Sequence, residues 1–247
     1  GFAGGCSTGP GSTPATSAAR ARNASANESV LYSFENSPDG STPTAGLVQN
    51  SSGVFFGTTE LGGNHSSSCG TGGCGTVFKM TPDGFGYRER VIYRFGGPRN
   101  LRDGASPSGG LVIGADGALY GTTYAGGEYG QGLVFKLTLH GSRYRERPLC
   151  SFSGNDGAYP FAGLTGGPGR ILYGTTAYGG AGGGGTVFKL SPVGGKLTVL
   201  HSFGSPYSNG AFPSGPVTLD ADGAIYGATE GGGWNGRGWR SHRRAWR

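Results

Sequence analysis

The sequence predicts an all-β fold: a β-propeller-like array of about four four-stranded blades, the last of them incomplete. Three observations lead there. One sentence is written four times: "FFGTT…GTVFKM" at 55–80, "LYGTT…GLVFKL" at 119–137, "LYGTT…GTVFKL" at 172–190, and a broken "IYGAT" at 225–229. Glycine supplies 55 of 247 residues, about three times the usual share, with no collagen period. Those glycines punctuate short β-branched and aromatic runs, the pattern of many short strands joined by tight turns.

Each copy reads the same way in order. An apolar strand ends in Phe34, Phe95, Phe152 or Phe203. A loop then carries Asp-Gly-Ala-x-Pro, with Asp39, Asp103 and Asp156 (Asn209 in the fourth copy) and Pro43, Pro107, Pro160 and Pro213. A short "GL" strand follows, then a turn, then the GTT strand with Gly57, Gly121, Gly174 or Gly227, then a Gly-rich loop and the VFK strand. Asp-Gly between two strand candidates at 116–117 and 222–223 is a tight-hairpin signal. Successive GTT glycines lie 64, 53 and 53 residues apart, and an "NHSSSCGTGGC" insertion accounts for part of the longer first interval. Four short strands in about 50 residues is the arithmetic of a propeller blade. One such unit cannot cover both of its faces, so stacking on its neighbours must do so. The small residues of GTT suit a crowded place such as the innermost strand at a propeller axis, while the pattern leaves open which strand is innermost.

The expected boundaries are a Ser/Thr/Pro/Ala-rich linker at 1–27, a repeat domain at 28–233 with units near 28–92, 93–149, 150–200 and 201–233, and a basic tail at 234–247. The linker composition cannot bury enough surface to offset its ordering entropy, so it is expected disordered. The fourth copy breaks off at "WRSHRRAWR", which reads as a truncated or frame-shifted gene end, a genuine basic tail being the other reading. Three full units and a damaged fourth argue against a closed ring and for an open arc, or for further repeats needed to complete the ring.

The net charge of +6 points away from nucleic acid. Arg237, Arg240, Arg243, Arg244 and Arg247 crowd the C-terminus, Arg20 and Arg22 the linker, and the remainder holds 13 basic and 14 acidic residues. A nucleic-acid surface would place its bases on the folded face. No stretch approaches the apolar length of a transmembrane helix.

Repeated "YGTT", a double glycine and "GTVFKL" downstream of "DGAxP" resemble the GloVer-type tandem repeat of bacterial choice-of-anchor surface proteins. The resemblance runs over about 28–233. It implies an exported, propeller-like repeat protein that often carries a surface anchor, and it implies no catalytic residues. Leu133 for Thr, Ala228 for Thr and the altered C-terminus depart from the pattern.

Among chemistry-bearing residues, Cys69 and Cys74 in "CGTGGC" are read as a disulfide closing a loop tip, with free thiols or a metal pair including His65 as the other readings. Cys150 replaces the tyrosine of Tyr32 and Tyr93 and is read as a small buried residue. Cys6, after a small-residue run and before a Ser/Thr/Pro tether, is a candidate lipidation site, a plain linker cysteine being the alternative. Asp39, Asp103, Asp156 and Asn209 could line one rim for sugar hydroxyls or Ca²⁺, although Asp before Gly-Ala is also what turn chemistry selects. Asp83, Asp116 and Asp222 read as hairpin turn residues. Lys79, Lys136 and Lys189 should lay their stems on apolar surface with the ammonium in water. Tyr120, Tyr173 and Tyr226 read as packing between blades, although exposed aromatics there would suit a carbohydrate surface. No catalytic or cofactor motif appears. The expectation is a non-catalytic, extracytoplasmic surface binding module with a glycan or surface-protein partner, no nucleic acid and no cofactor. The rival is a propeller enzyme acting on carbohydrates or lactones, with a site spread over several repeats.

Overall fold

A computed structural model describes residues 29–232 apart from 36–37, 65–68, 85, 98–100 and 205–209. The chain divides into two compact units, Gly1–Val30 and Leu31–Arg247, and everything below concerns the second. Its described residues form no α-helix, and none of its helical turns is long and apolar enough to cross a membrane.

The repeat becomes four antiparallel sheets. The first joins β1 (Val48–Gln49), β2 (Phe55–Thr59), β3 (Thr76–Asp83) and β4 (Gly86–Arg94) in chain order. The second joins β5 (Val112–Ile113), β6 (Leu119–Thr123), β7 (Leu133–His140) and β8 (Arg143–Ser151). The third joins β9 (Thr165–Gly166), β10 (Leu172–Thr176), β11 (Thr186–Ser191) and β12 (Lys196–Ser202). In the fourth, β13 (Thr218–Leu219) pairs with β14 (Ile225–Tyr226). The protein is thus an all-β, propeller-like array. The complete sheets end at Arg94, Ser151 and Ser202, two residues beyond the sequence boundaries at 92, 149 and 200.

Burial follows the strand's place in its sheet. All five residues of "LYGTT" in β6 are buried, because a neighbouring sheet covers each face. The fourth strands β4 and β8 alternate exposed and half-buried residues over their first halves, as sheet edges do. Pro148 sits in β8, where an edge strand can spare an N–H.

The strand order fills in what the pattern left open: the GTT strand is second of four, and the short "GL" strand forms the sheet edge beside it in each complete sheet. The crowding on GTT comes from its partner. A Cβ on Gly57, Gly121 or Gly174 would stand 2.5–2.6 Å from the ring of Phe78, Phe135 or Phe188 on the paired VFK strand. Backbone also approaches closely between repeats beside the "GL" strands, where a Cβ on Gly109 would meet Gly163 N at 2.5 Å.

Neighbouring sheets lock together in the same way each time. A bulge opposite Val77/Phe78, Val134/Phe135 and Val187/Phe188 bends the fourth strand. Past the bulge, Phe95 lies edge-on against Phe135 of the next repeat, with centroids 5.1 Å apart, and Phe152 against Phe188 at 5.2 Å. The first Thr of each complete GTT donates across the boundary: Thr58 Oγ1 to Gly109 O, Thr122 Oγ1 to Ala162 O, Thr175 Oγ1 to Gly215 O. Three apolar clusters consequently sit between sheets rather than within them. Phe95, Leu119 and Phe135 anchor the first, Phe152, Leu172 and Phe188 the second, Phe203 and Ile225 the third.

Candidate functional site

The Asp-Gly-Ala-x-Pro loop supplies the rest of the lock, and its x residue is unusual. Thr42, Ser106, Tyr159 and Phe212 all occupy the left-handed region, with φ of 57°, 54°, 54° and 59°. Such a backbone is costly for a non-glycine residue, and four equivalent occurrences require something that enforces it. Two hydrogen bonds do. The amides of Ser106, Tyr159 and Phe212 donate to Cys74 O, Gln131 O and Gly184 O of the preceding repeat's loop. Their carbonyls accept from Tyr124 N, Ala177 N and Glu230 N of their own repeat, just past GTT. The following proline covers a glycine of the preceding repeat: a Cβ on Gly75, Gly132 or Gly185 would stand 2.5–2.7 Å from Cδ of Pro107, Pro160 or Pro213.

That lock aims the x side chain and the residues after GTT onto one face. On it lies a row of rings. Phe161 stands at 88° to Tyr124 with centroids 6.3 Å apart. Tyr124 and Tyr159 are tilted only 35° at 5.1 Å. Tyr178 stands at 87° to Tyr159 at 6.0 Å, and Phe212 follows Tyr178 at 5.2 Å. Phe161 is 44% exposed and Tyr178 45%, while Tyr124, Tyr159 and Phe212 are half-buried. Burial, together with the neighbouring Tyr178, Tyr159 and Glu60, raises the Tyr124 phenol above its ordinary value. The Tyr124 hydroxyl thus has two other phenols and one carboxylate within electrostatic reach.

The acids singled out in the sequence bind their own loops. Asp39 accepts from the Tyr32 hydroxyl at 2.6 Å and from the Glu35 amide. Burial pushes its carboxyl up, but those donors outweigh it and hold the group below its ordinary value. Tyr32 rises to about 12, first through that hydrogen bond. Asp103 accepts from the Tyr93 hydroxyl at 2.9 Å and the Gly97 amide at 3.3 Å. Asp156, where Cys150 stands in the tyrosine's place, accepts from Ser153 N at 2.8 Å and Ser153 Oγ at 2.9 Å. Burial, with Asp156 nearby, pushes the Cys150 thiol to about 11. Asn209 lies outside the described residues, as do Cys6 and His65.

A second acid joins two of these loops, and periodicity alone did not reveal it. Glu89 on β4 lies close enough to Asp39, and Glu146 on β8 to Asp103, for each aspartate to act on its neighbour. Burial first, then that aspartate, raises Glu89 to about 7 and Glu146 to about 8. Asp103 Oδ1, Glu89 Oε1 and Glu146 Oε1 are buried without a hydrogen-bond partner among the described residues. In the third repeat Leu197 takes the register position of the glutamate, opposite Leu190, so that copy has no acid pair.

Cys69 and Cys74 are joined by a disulfide, their Cα atoms 5.2 Å apart. Among the described residues no group of three or more His, Cys, Asp or Glu is placed to hold a metal. Lys136 differs from the solvated lysine expected: its Nζ pairs with Asp116 Oδ2 at 2.8 Å and lies 5.4 Å from the Tyr120 ring centroid. Asp116 is thereby held at about 2: burial would raise it, but Lys136, Tyr120 and the Ala118 amide prevail. In the fourth hairpin the turn is anchored by Asp220, which accepts from the amides of Asp222 and Ala224, rather than by Asp222.

These features define a tandem-repeat protein whose units interlock through one shared loop grammar. The Gloeobacter/Verrucomicrobia repeat family matches residues 66–239, and the chain belongs to that family. No curated protein matches the chain. Among solved structures, a candidate 6-phosphogluconolactonase from Bacteroides uniformis is similar over 76% of this chain and 78% of its own, at 10% identity and a TM-score of 0.30. That likeness is too slight to carry an argument.

Proposed function

We propose that this repeat protein is a non-catalytic binding module, exported and displayed at a bacterial cell surface. The observation that carries the reading is the ring row. It spans the second to fourth repeats on a framework whose strained loops and inter-repeat hydrogen bonds fix its position before any ligand arrives. Rigid aromatic groups on a preorganised scaffold bind at low entropic cost. The repeated aspartates, by contrast, are engaged by their own loops. Export is supported by the Cys69–Cys74 disulfide, a bond that persists in oxidising compartments. A glycan or a surface protein is the partner class, and Cys6 is the proposed lipid attachment point. The test applies the chain to arrays of bacterial surface polysaccharides and surface proteins. Retention on at least one class, without turnover, is expected; no retention on either removes the reading.

A second reading, a propeller enzyme acting on carbohydrate or lactone substrates, is favoured by Asp103 and Glu146. A carboxyl that burial keeps protonated beside a second carboxylate can serve as a general acid. A panel of glycosidase and lactonase substrates tests it: turnover that disappears in Glu146→Gln supports the enzyme.

A further inference from the structure

Copies of a repeat differ least where they hold one another and most where they meet something else. In this chain the Gly, Pro and Thr positions of the lock recur, while x runs Thr42, Ser106, Tyr159, Phe212. The two residues after GTT run Glu60-Leu61, Tyr124-Ala125, Ala177-Tyr178 and Glu230-Gly231. Each x residue lies beside the first residue after GTT, because its carbonyl accepts from that residue's amide in its own repeat, and four of these variable positions, Tyr124, Tyr159, Tyr178 and Phe212, carry the rings of the row.

We infer that the row Phe161–Tyr124–Tyr159–Tyr178–Phe212 is a carbohydrate-binding platform. This rests on the binding-module reading and names its ligand. Three chemical features select a sugar. The Tyr124/Tyr159 pair, tilted by 35° and with a perpendicular ring beyond each member, offers both faces and edges to the C–H side of a pyranose. Three of the five rings carry a hydroxyl that can both donate and accept, matching a ligand whose rim is hydroxyl. Glu60 adds an acceptor close enough to Tyr124 to shift its phenol. A proline-rich peptide would need an apolar, aromatic-lined groove with little call for a carboxylate.

The row crosses repeat boundaries, so the platform lengthens with each repeat that has an aromatic x residue. In this chain Thr42 and Ser106 bring no ring at x, so the row begins at Tyr124, after the second repeat's GTT, and an oligosaccharide rather than a monosaccharide is the expected ligand.

The experiment measures retention of the full chain on insoluble cellulose, chitin, xylan and mannan. Titration then follows with the soluble hexasaccharide of whichever polymer retains it, read by tyrosine fluorescence. A decaproline peptide and a surface-protein array run in parallel. Retention on at least one polysaccharide is expected. The hexasaccharide affinity should fall about tenfold or more in Tyr178→Ala and in Phe161→Ala, two exposed positions whose truncation leaves the melting temperature close to the parent's. Tyr129→Ala, exposed but outside the row, should bind as the parent does. Failure on all four polysaccharides, or affinity unchanged in both row variants, overturns the inference. Binding only to decaproline or to the protein array overturns the carbohydrate assignment and leaves the binding module standing; failure on every surface overturns both.

Discussion

The second and fourth repeats carry nearly the same hairpin, "GADGALYG" at 114–121 and "DADGAIYG" at 220–227, and live in different surroundings. In the second, β6 lies between β5 and β7, Tyr120 is 3% exposed, and Gly121 has the Phe135 ring over it. In the fourth, β14 pairs with β13 alone among the described residues, and Tyr226 is 38% exposed. Among the described residues, the nearest atom to a Cβ on Gly227 is Val217 Cγ1 at 3.5 Å. Ala228 also replaces the Thr that in Thr58, Thr122 and Thr175 donates to the next repeat. Yet Ile225 remains 5% exposed, because the third repeat covers it through Val187 and Phe203. A strand here is buried by its neighbours, and its own sequence only permits that burial.

The largest effect should come from adding one methyl to each glycine of that pair. Gly121→Ala forces a Cβ against Phe135 and Leu111 and should cost about 2–3 kcal/mol. Gly227→Ala meets only ordinary van der Waals contact and should stay within about 0.5 kcal/mol of the parent. Urea unfolding of both variants measures the difference. Equal costs would mean the fourth repeat is as enclosed as the second, and the comparison would fail.

A smaller effect separates repeats with an acid pair from the third, which lacks one. Glu146 has an ordinary value of 4.5 and a folded value of about 8. Between those values the unfolded chain releases this proton while the folded chain keeps it, so the group lowers stability progressively as pH rises from 4.5 to 8. Glu146→Gln should remove that slope and raise stability at pH 8 by about 1 kcal/mol, roughly 2–4 °C in melting temperature. At pH 4 variant and parent should melt alike. Melts across pH 4–9 check this; a variant that keeps the parent's slope would assign the slope elsewhere.

The smallest effect sharpens the contrast between hairpins. Gly53, Gly117 and Gly223 occupy the same left-handed turn position, with φ of 77°, 74° and 80°. The third repeat places Arg170 there, at φ 64°. Arg170→Gly relieves that backbone but loosens the unfolded chain, leaving a gain of under about 1 kcal/mol in a thermal melt. A loss instead would show that the Arg170 side chain stabilises the turn.

Much of the fold was legible because the repeat aligns chemically equivalent positions. The bulky VFK phenylalanine demands the glycine of GTT opposite it, and the Pro of each loop demands a glycine in the previous repeat. Those demands print the spacing directly into the chain. The place of GTT within its sheet was not legible, because small residues suit several kinds of crowding. The acid pairs were missed for another reason. Asp103 and Glu146 are 43 residues apart and belong to different motifs, so no local pattern ties them. The ring row was missed because its members occupy positions where the copies disagree, and a search for repetition passes over such positions. The irregular aromatics at x and after GTT were the available signal.

The sequence by itself determined the repeating unit, its four strands, their turns and the family to which the chain belongs. Local propensity and glycine punctuation act within about fifty residues, and the sequence repeats on that scale. Only the tertiary structure decided which strand lies second, which carboxylates become hard to ionise, and which aromatics line up. Those outcomes depend on what the adjacent repeat places against each side chain. Burial and electrostatic coupling act through space, between residues that the chain keeps far apart.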